Sequence, residues 1–166
     1  MAKINSFREL RVYQELRRLH LIVHRRSLTF PKFEMYELGS QIRRSSNAAP
    51  AIIAEGWGSR HTNIYLESIN RSKGEVRETQ HHLDMAHAKA YLAESEWQDL
   101  DGAYEACDRM LEKLHQRLSE WRDSIRSPGV HEKPAGYGSP LVSTDWEHAA
   151  TLSLQVMQEF EVDTSQ

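Results

Sequence analysis

A single cysteine, Cys107, stands among the 166 residues, so no disulfide closes within the chain and a stapled secreted scaffold is excluded. No apolar run approaches the roughly 18 residues that a membrane-spanning helix needs. The opening segment, Met1-Ala2-Lys3-Ile4-Asn5-Ser6, turns polar at once and carries no apolar signal core. A glycine-rich phosphate loop is missing too. Charge of one sign is also scarce in sum: 21 Lys and Arg against 24 Asp and Glu leave a formal net charge of −3, which argues against a histone-like polybasic binder. These absences lead to the expectation of a cytoplasmic protein in a reducing compartment, with no membrane partner. The hydrophobic share of 39% is enough for one sizeable core.

The near-neutral total hides an asymmetry. Residues 1–73 carry 13 basic and 6 acidic side chains, residues 74–126 carry 7 and 12, and residues 127–166 carry 1 and 6. One half of the chain attracts anions while the rest repels them.

Helical periodicity runs through the first 126 residues, with no alternating strand pattern. A first helix is expected from Ser6, where Ser6 and Glu9 have capping-box spacing. Its apolar stripe is Val12, Leu16, Leu19 and Val23, ended by Thr29-Phe30-Pro31-Lys32. A second spans about Glu34 to Ala54, with Pro50 as a kink and Gly56 and Gly58 as the exit. A third spans His61 to Leu92 over Tyr65, Ile69, Val76, Leu83 and Ala90. Ser95 with Gln98 is a second capping box, opening a fourth helix over Trp97, Leu100, Tyr104, Cys107, Leu111, Leu114, Leu118 and Ile125. The pattern predicts an all-α protein: an antiparallel up-down four-helix bundle over 1–126 with a flexible C-terminal extension. Residues 127–143 hold three prolines and three glycines and read as a linker. Residues 144–166 form an acidic tail in which Trp146, Ala150, Leu154, Met157 and Phe160 make a short amphipathic stripe.

Apolar residues also occur away from the core stripes. Leu10, Leu21 and Leu28 lie off the first helix's stripe, and Gly74, Met85 and Leu92 lie roughly opposite Leu83, beside Glu78. A mid-helix glycine costs about 1 kcal/mol relative to alanine, which close approach of another backbone would rationalise. These residues are the candidate subunit interface.

Phe30-Pro31, Gln41-Ile42-Arg43-Arg44 and Pro50-Ala51-Ile52-Ile53-Ala54-Glu55-Gly56, with Gly74 to Leu92 downstream, resemble the signature of the four-helix-bundle proteins encoded in 23S rRNA intervening sequences. That superfamily also holds the accessory variability determinant of diversity-generating retroelements. The resemblance covers about residues 5–120 and assigns structural motif positions to Pro50, Glu55 and Gly56. Ile52 stands where the family usually has asparagine and Ala48 where it often has serine. The resemblance implies a ring-like homopentamer without enzymatic activity or cofactor. It also implies partners among RNA or DNA and a reverse transcriptase, although the retroelement members are strongly basic and this chain is not.

Arg11, Arg18 and Arg25 recur every seven residues, joined by Arg17 and Arg26. Arg43, Arg44, Arg60, Arg71 and Lys73 complete a candidate phosphate-tracking surface. The same residues also fit a solvated face laced by Glu9 and Glu15. Two Glu-x-x-His pairs, Glu78 with His81 and Glu112 with His115, have the spacing of di-iron bundle ligands, but Glu78 and His81 point away from the third helix's stripe and Glu112 lies well off the fourth's. Cys107 lies on a core stripe and reads as a small buried residue. The function expected is a homo-oligomeric scaffold or accessory protein. The alternative is a protein-interaction module that uses its acidic C-terminal helix and has no nucleic-acid role.

Overall fold

The computed structural model describes residues 5–57, 59 and 61–126, with side chains through residue 124. The expected linker at 127–143, the tail at 144–166 and the side chain of Ile125 lie outside the described residues. Among the described residues there are four helices, α1 (Arg11–Ser27), α2 (Leu38–Trp57), α3 (Thr62–Ala88) and α4 (Glu94–Arg126), preceded by one 3-10 turn at Phe7–Glu9. No strand occurs among the described residues, and none of their helices is long and apolar enough to cross a membrane. The helices touch in the order α1–α2–α3–α4 and back to α1, with α2 and α3 the most closely joined. The apolar stripes meet in one core, where Leu16, Leu19, Ile42, Ile53, Ile69, Leu83, Leu111 and Leu118 are fully buried.

The chain enters α1 differently from a capping box. Ser6 Oγ accepts from the amide of Arg8 at 3.3 Å, and the Glu9 carboxylate accepts from the amide of Asn5 at 3.2 Å. The segment makes a 3-10 turn and then extends at Leu10 (φ −66°, ψ 121°), the residue that precedes α1. Leu10 therefore falls off the helical wheel of α1. It is fully buried in the core rather than exposed as an interface residue.

α2 begins at Leu38, since residues 32–37 form turns in which the Glu34 carbonyl accepts from Gly39 at 2.7 Å. It runs through buried Pro50 and ends at Trp57, three residues beyond the expected Ala54. Polar contacts join it to α3: Ser72 Oγ donates to the Ala49 carbonyl and Thr79 Oγ1 to Ser45 Oγ, each at 2.9 Å. With hydrogen-bonded hydroxyls, these buried polar groups carry little desolvation penalty.

The end of α3 departs most from expectation. The helix stops at Ala88, and Ala90 adopts φ 58°. The amide of Ala90 bonds the His87 carbonyl and that of Tyr91 bonds the Ala86 carbonyl, both at 2.8 Å. That is the Schellman pattern, in which the left-handed position favours glycine. Ala90 is consequently exposed rather than core, and the reversal turns Leu92 inward to 4% exposure, removing it from any interface. Ala90→Gly should relieve the left-handed strain and raise unfolding free energy by about 1 kcal/mol. An unchanged urea midpoint would show that the strain is already relaxed. α4 starts one residue before Ser95, so Ser95 is not its cap. The Ala93 carbonyl accepts from Trp97 at 3.0 Å, and Gln98 Nε2 bonds the Glu94 carboxylate at 2.6 Å.

Candidate nucleic-acid and assembly surface

Burial of Val12, Leu16, Leu19 and Val23 fixes the rotation of α1. At about 100° per residue, the opposite side presents Arg17, Arg18, Leu21, Arg25 and Leu28. Leu21 and Leu28 are 41% and 48% exposed. Arg18 Nε pairs with the Glu15 carboxylate at 2.8 Å, an exposed pair of small energetic weight. Arg17 and Arg25 are exposed and make no ion pair with the described residues. Arg17, Arg18 and Arg25 thus share one outward strip with Leu21 and Leu28.

Arg44 and Arg71 are exposed on α2 and α3. Both act on Glu75, whose carboxyl is raised above its ordinary pKa by burial and by Glu78, against the two guanidinium charges. Arg11 is partly buried at the start of α1, and Arg60 lies outside the described residues.

Three candidates are engaged inside the molecule. Arg26 pairs with Glu96 and donates to the Thr29 hydroxyl at 2.9 Å. Arg43 donates to Ser27 Oγ at 2.9 Å and to the Met35 carbonyl at 2.8 Å. Lys73, 9% exposed, pairs with Glu112 of α4. These side chains join helices; the sequence alone had grouped them with the outward cations.

On α3, Gly74 and Glu78 are exposed and Met85 is 38% exposed. A Cβ added to Gly74 would meet nothing within 4 Å. Among the described residues, the glycine therefore relieves no crowding.

The remaining chemistry is structural. Cys107 is 1% exposed, and burial pushes its thiol up to about 12, so it stays protonated. Burial likewise raises the phenol of Tyr104. Glu112 is held below the usual carboxylate range, chiefly by its hydrogen bond from Lys73, and His115 approaches Asn70 at 3.3 Å. His82 Nε2 lies 3.5 Å from the Glu78 carboxylate. His20 Nδ1 sits 2.9 Å from Ser46 Oγ, with burial lowering its pKa first and His24 second. Among the described residues, no three His, Cys, Asp or Glu converge as metal ligands.

Sequence reading missed Glu34. It is 5% exposed, accepts from Lys89 and lies 3.4 Å from the Tyr91 hydroxyl. The Lys89 hydrogen bond holds its carboxyl below the ordinary range. The Phe30 and Tyr91 rings pack 5.4 Å apart beside it. The expected second helix starts at Glu34, whereas residues 32–37 form turns, so helical spacing gives no guide to the direction of its side chain.

The motif positions divide by role. Pro50 and Gly56 are buried, and Glu55 is exposed. Ile52, at 8% exposure, packs as an apolar residue. A Cβ on Gly56 would lie 2.4 Å from Cβ of Ser68, so α2 reaches α3 there because the side chain is absent.

Four helices closed by a Phe30–Tyr91 contact, an internal Arg43 and a glycine contact at Gly56 define a small helical-bundle class. The family model of the 23S rRNA-intervening sequence protein matches residues 8–113, and the chain belongs to that family. None of the curated proteins matches it.

Proposed function

We propose that this protein is a non-enzymatic scaffold that assembles with copies of itself and presents the arginines of α1 to the phosphates of RNA. The observation carrying this reading is the α1 strip, where Arg17, Arg18 and Arg25 stand outward together. Each subunit offers few contacts, and a ring multiplies them by linking several weak sites. The proposed subunit is an up-down bundle of antiparallel neighbours. In its support, Gly56 meets Ser68, Ala49 meets Ser72 and Ser45 meets Thr79, so positions fall along α2 as they rise along α3. The proposed subunit contact is the α3 strip of Gly74, Glu78 and Met85, and the family resemblance suggests a ring of five. The resemblance to retroelement accessory proteins makes a reverse transcriptase the protein partner in this scheme.

Arg17→Glu with Arg25→Glu should weaken binding of a labelled single-stranded RNA by about tenfold at low salt and flatten its salt dependence. A wild type that binds no RNA at low salt overturns the reading. Light-scattering mass tests assembly in the same samples. Gly74→Leu should keep the helical signal, because its side chain starts in open space, and should reduce the mass to one subunit. A monomeric wild type refutes the ring, and an intact ring in the variant refutes the α3 contact.

A further inference from the structure

We propose that residues 144–163 of this same chain dock along the outward strip of α1, burying Leu21 and Leu28 and setting carboxylates against Arg17, Arg18 and Arg25. The strip has an unusual composition for a solvated face. Its two leucines are 41% and 48% exposed and lie about two helical turns apart, and arginines border them. An occupant must therefore be apolar along its middle and acidic along its sides.

The chain supplies one segment of that description. Trp146, Ala150, Leu154, Met157 and Phe160 are spaced four, four, three and three apart, which places them on one side of a helix. Asp145, Glu147, Glu161 and Asp163 fall beside that stripe, Glu159 lies farther round, and no Lys or Arg occurs after Lys133. Burying two leucines against such a stripe removes apolar surface from water. The flanking carboxylates meet guanidinium groups, of which Arg17 and Arg25 have no ion pair with the described residues.

The connection is long enough. Arg122 near the end of α4 lies 3.3 Å from Asn63, at the start of α3. The 17 residues from 127 to 143 have a root-mean-square span of about 23 Å and an extended reach of about 55 Å. α1, with 17 residues, is about 25 Å long. Arg26 near the far end of α1 pairs with Glu96, close to the start of α4 and so about 45 Å along that helix from its end, a distance the extended linker still spans. Because the tail would occupy the arginines assigned above to RNA, it acts as an internal competitor for phosphate. That consequence rests on the RNA-binding reading; the docking does not.

The test uses the full chain with p-benzoylphenylalanine in place of Leu21. On irradiation, cross-links should map to residues 144–163 of the same molecule, as judged by mixing with isotope-labelled chain. Leu154→Ser with Met157→Ser should reduce their yield by about tenfold. Cross-links that fall in the four helices, join labelled to unlabelled chains, or persist undiminished in the serine variant overturn the docking. With Leu21 restored, the serine variant should bind single-stranded RNA about tenfold more tightly than the wild type. Specific cross-linking with no RNA bound by either protein would support the docking while overturning the RNA-binding reading.

Discussion

Replacing Gly56 with alanine is expected to lower the unfolding free energy by about 2 kcal/mol, although alanine is the better helix former. The new Cβ would lie 2.4 Å from Cβ of Ser68, 2.5 Å from its Oγ and 3.1 Å from Cδ2 of Tyr65. A Cβ cannot rotate away, so α2 and α3 must separate where Trp57 also packs edge-on against Tyr65 at 6.0 Å. Overpacking of this kind costs about 3 kcal/mol, and the gain in helix propensity offsets about 1 kcal/mol of it. The midpoint of thermal unfolding should fall by roughly 6 °C for a chain of this size. Ser68→Gly removes both clashing atoms, so the two substitutions should couple favourably by about 2 kcal/mol in a double-mutant cycle. Additive effects would place the strain elsewhere, and an alanine variant as stable as the parent would refute the close approach.

The apolar stripes of the sequence survive in the core because each lies within an uninterrupted helix, where 3.6-residue periodicity holds. Leu10 and Leu92 were misplaced for the opposite reason. Leu10 has extended backbone before α1, and Leu92 follows the left-handed Ala90, so a helical wheel drawn through either gives a false direction. Ser6 and Ser95 show the same limit on cap motifs, since a 3-10 turn and a one-residue earlier start change which amides are free. The candidate cations were legible as a basic half, but their division was not. Lys73 points at Glu112 across 39 residues of sequence, and Arg26 at Glu96 across 70. Local spacing contains no information on such partners. Gly56 was legible through the family motif, whereas the reason for it required the position of Ser68.

The Arg43-Arg44 pair carries that division into an expected result. Adjacent helical residues differ by about 100° in direction, so only one of the two can turn towards the interior. Arg43 does so, spanning from the Ser27 hydroxyl at 2.9 Å to the Met35 carbonyl at 2.8 Å, while Arg44 is exposed. Ser27 is 1% exposed and its hydroxyl also donates to the His24 carbonyl at 2.8 Å, so the guanidinium ties the end of α1 to the turns before α2. Charge-assisted hydrogen bonds of this kind contribute about 1.5–3 kcal/mol, and truncation also leaves their acceptors unsatisfied. Arg43→Ala should therefore cost about 3 kcal/mol, against about 0.5 kcal/mol or less for Arg44→Ala. The loss should also be local. With the strap gone, trypsin should cleave after Lys32 about tenfold faster, because opening of that turn no longer has to break both bonds. Arg43→Lys has one ammonium in place of a planar fork and should recover less than half of the stability. If Arg43→Ala and Arg44→Ala were equally mild, and cleavage at Lys32 did not change, the bridge would carry no stability and Arg43 would rejoin the outward cations. A large loss in urea with unchanged cleavage would mean instead that Arg43 stabilises the helices globally rather than closing this connection.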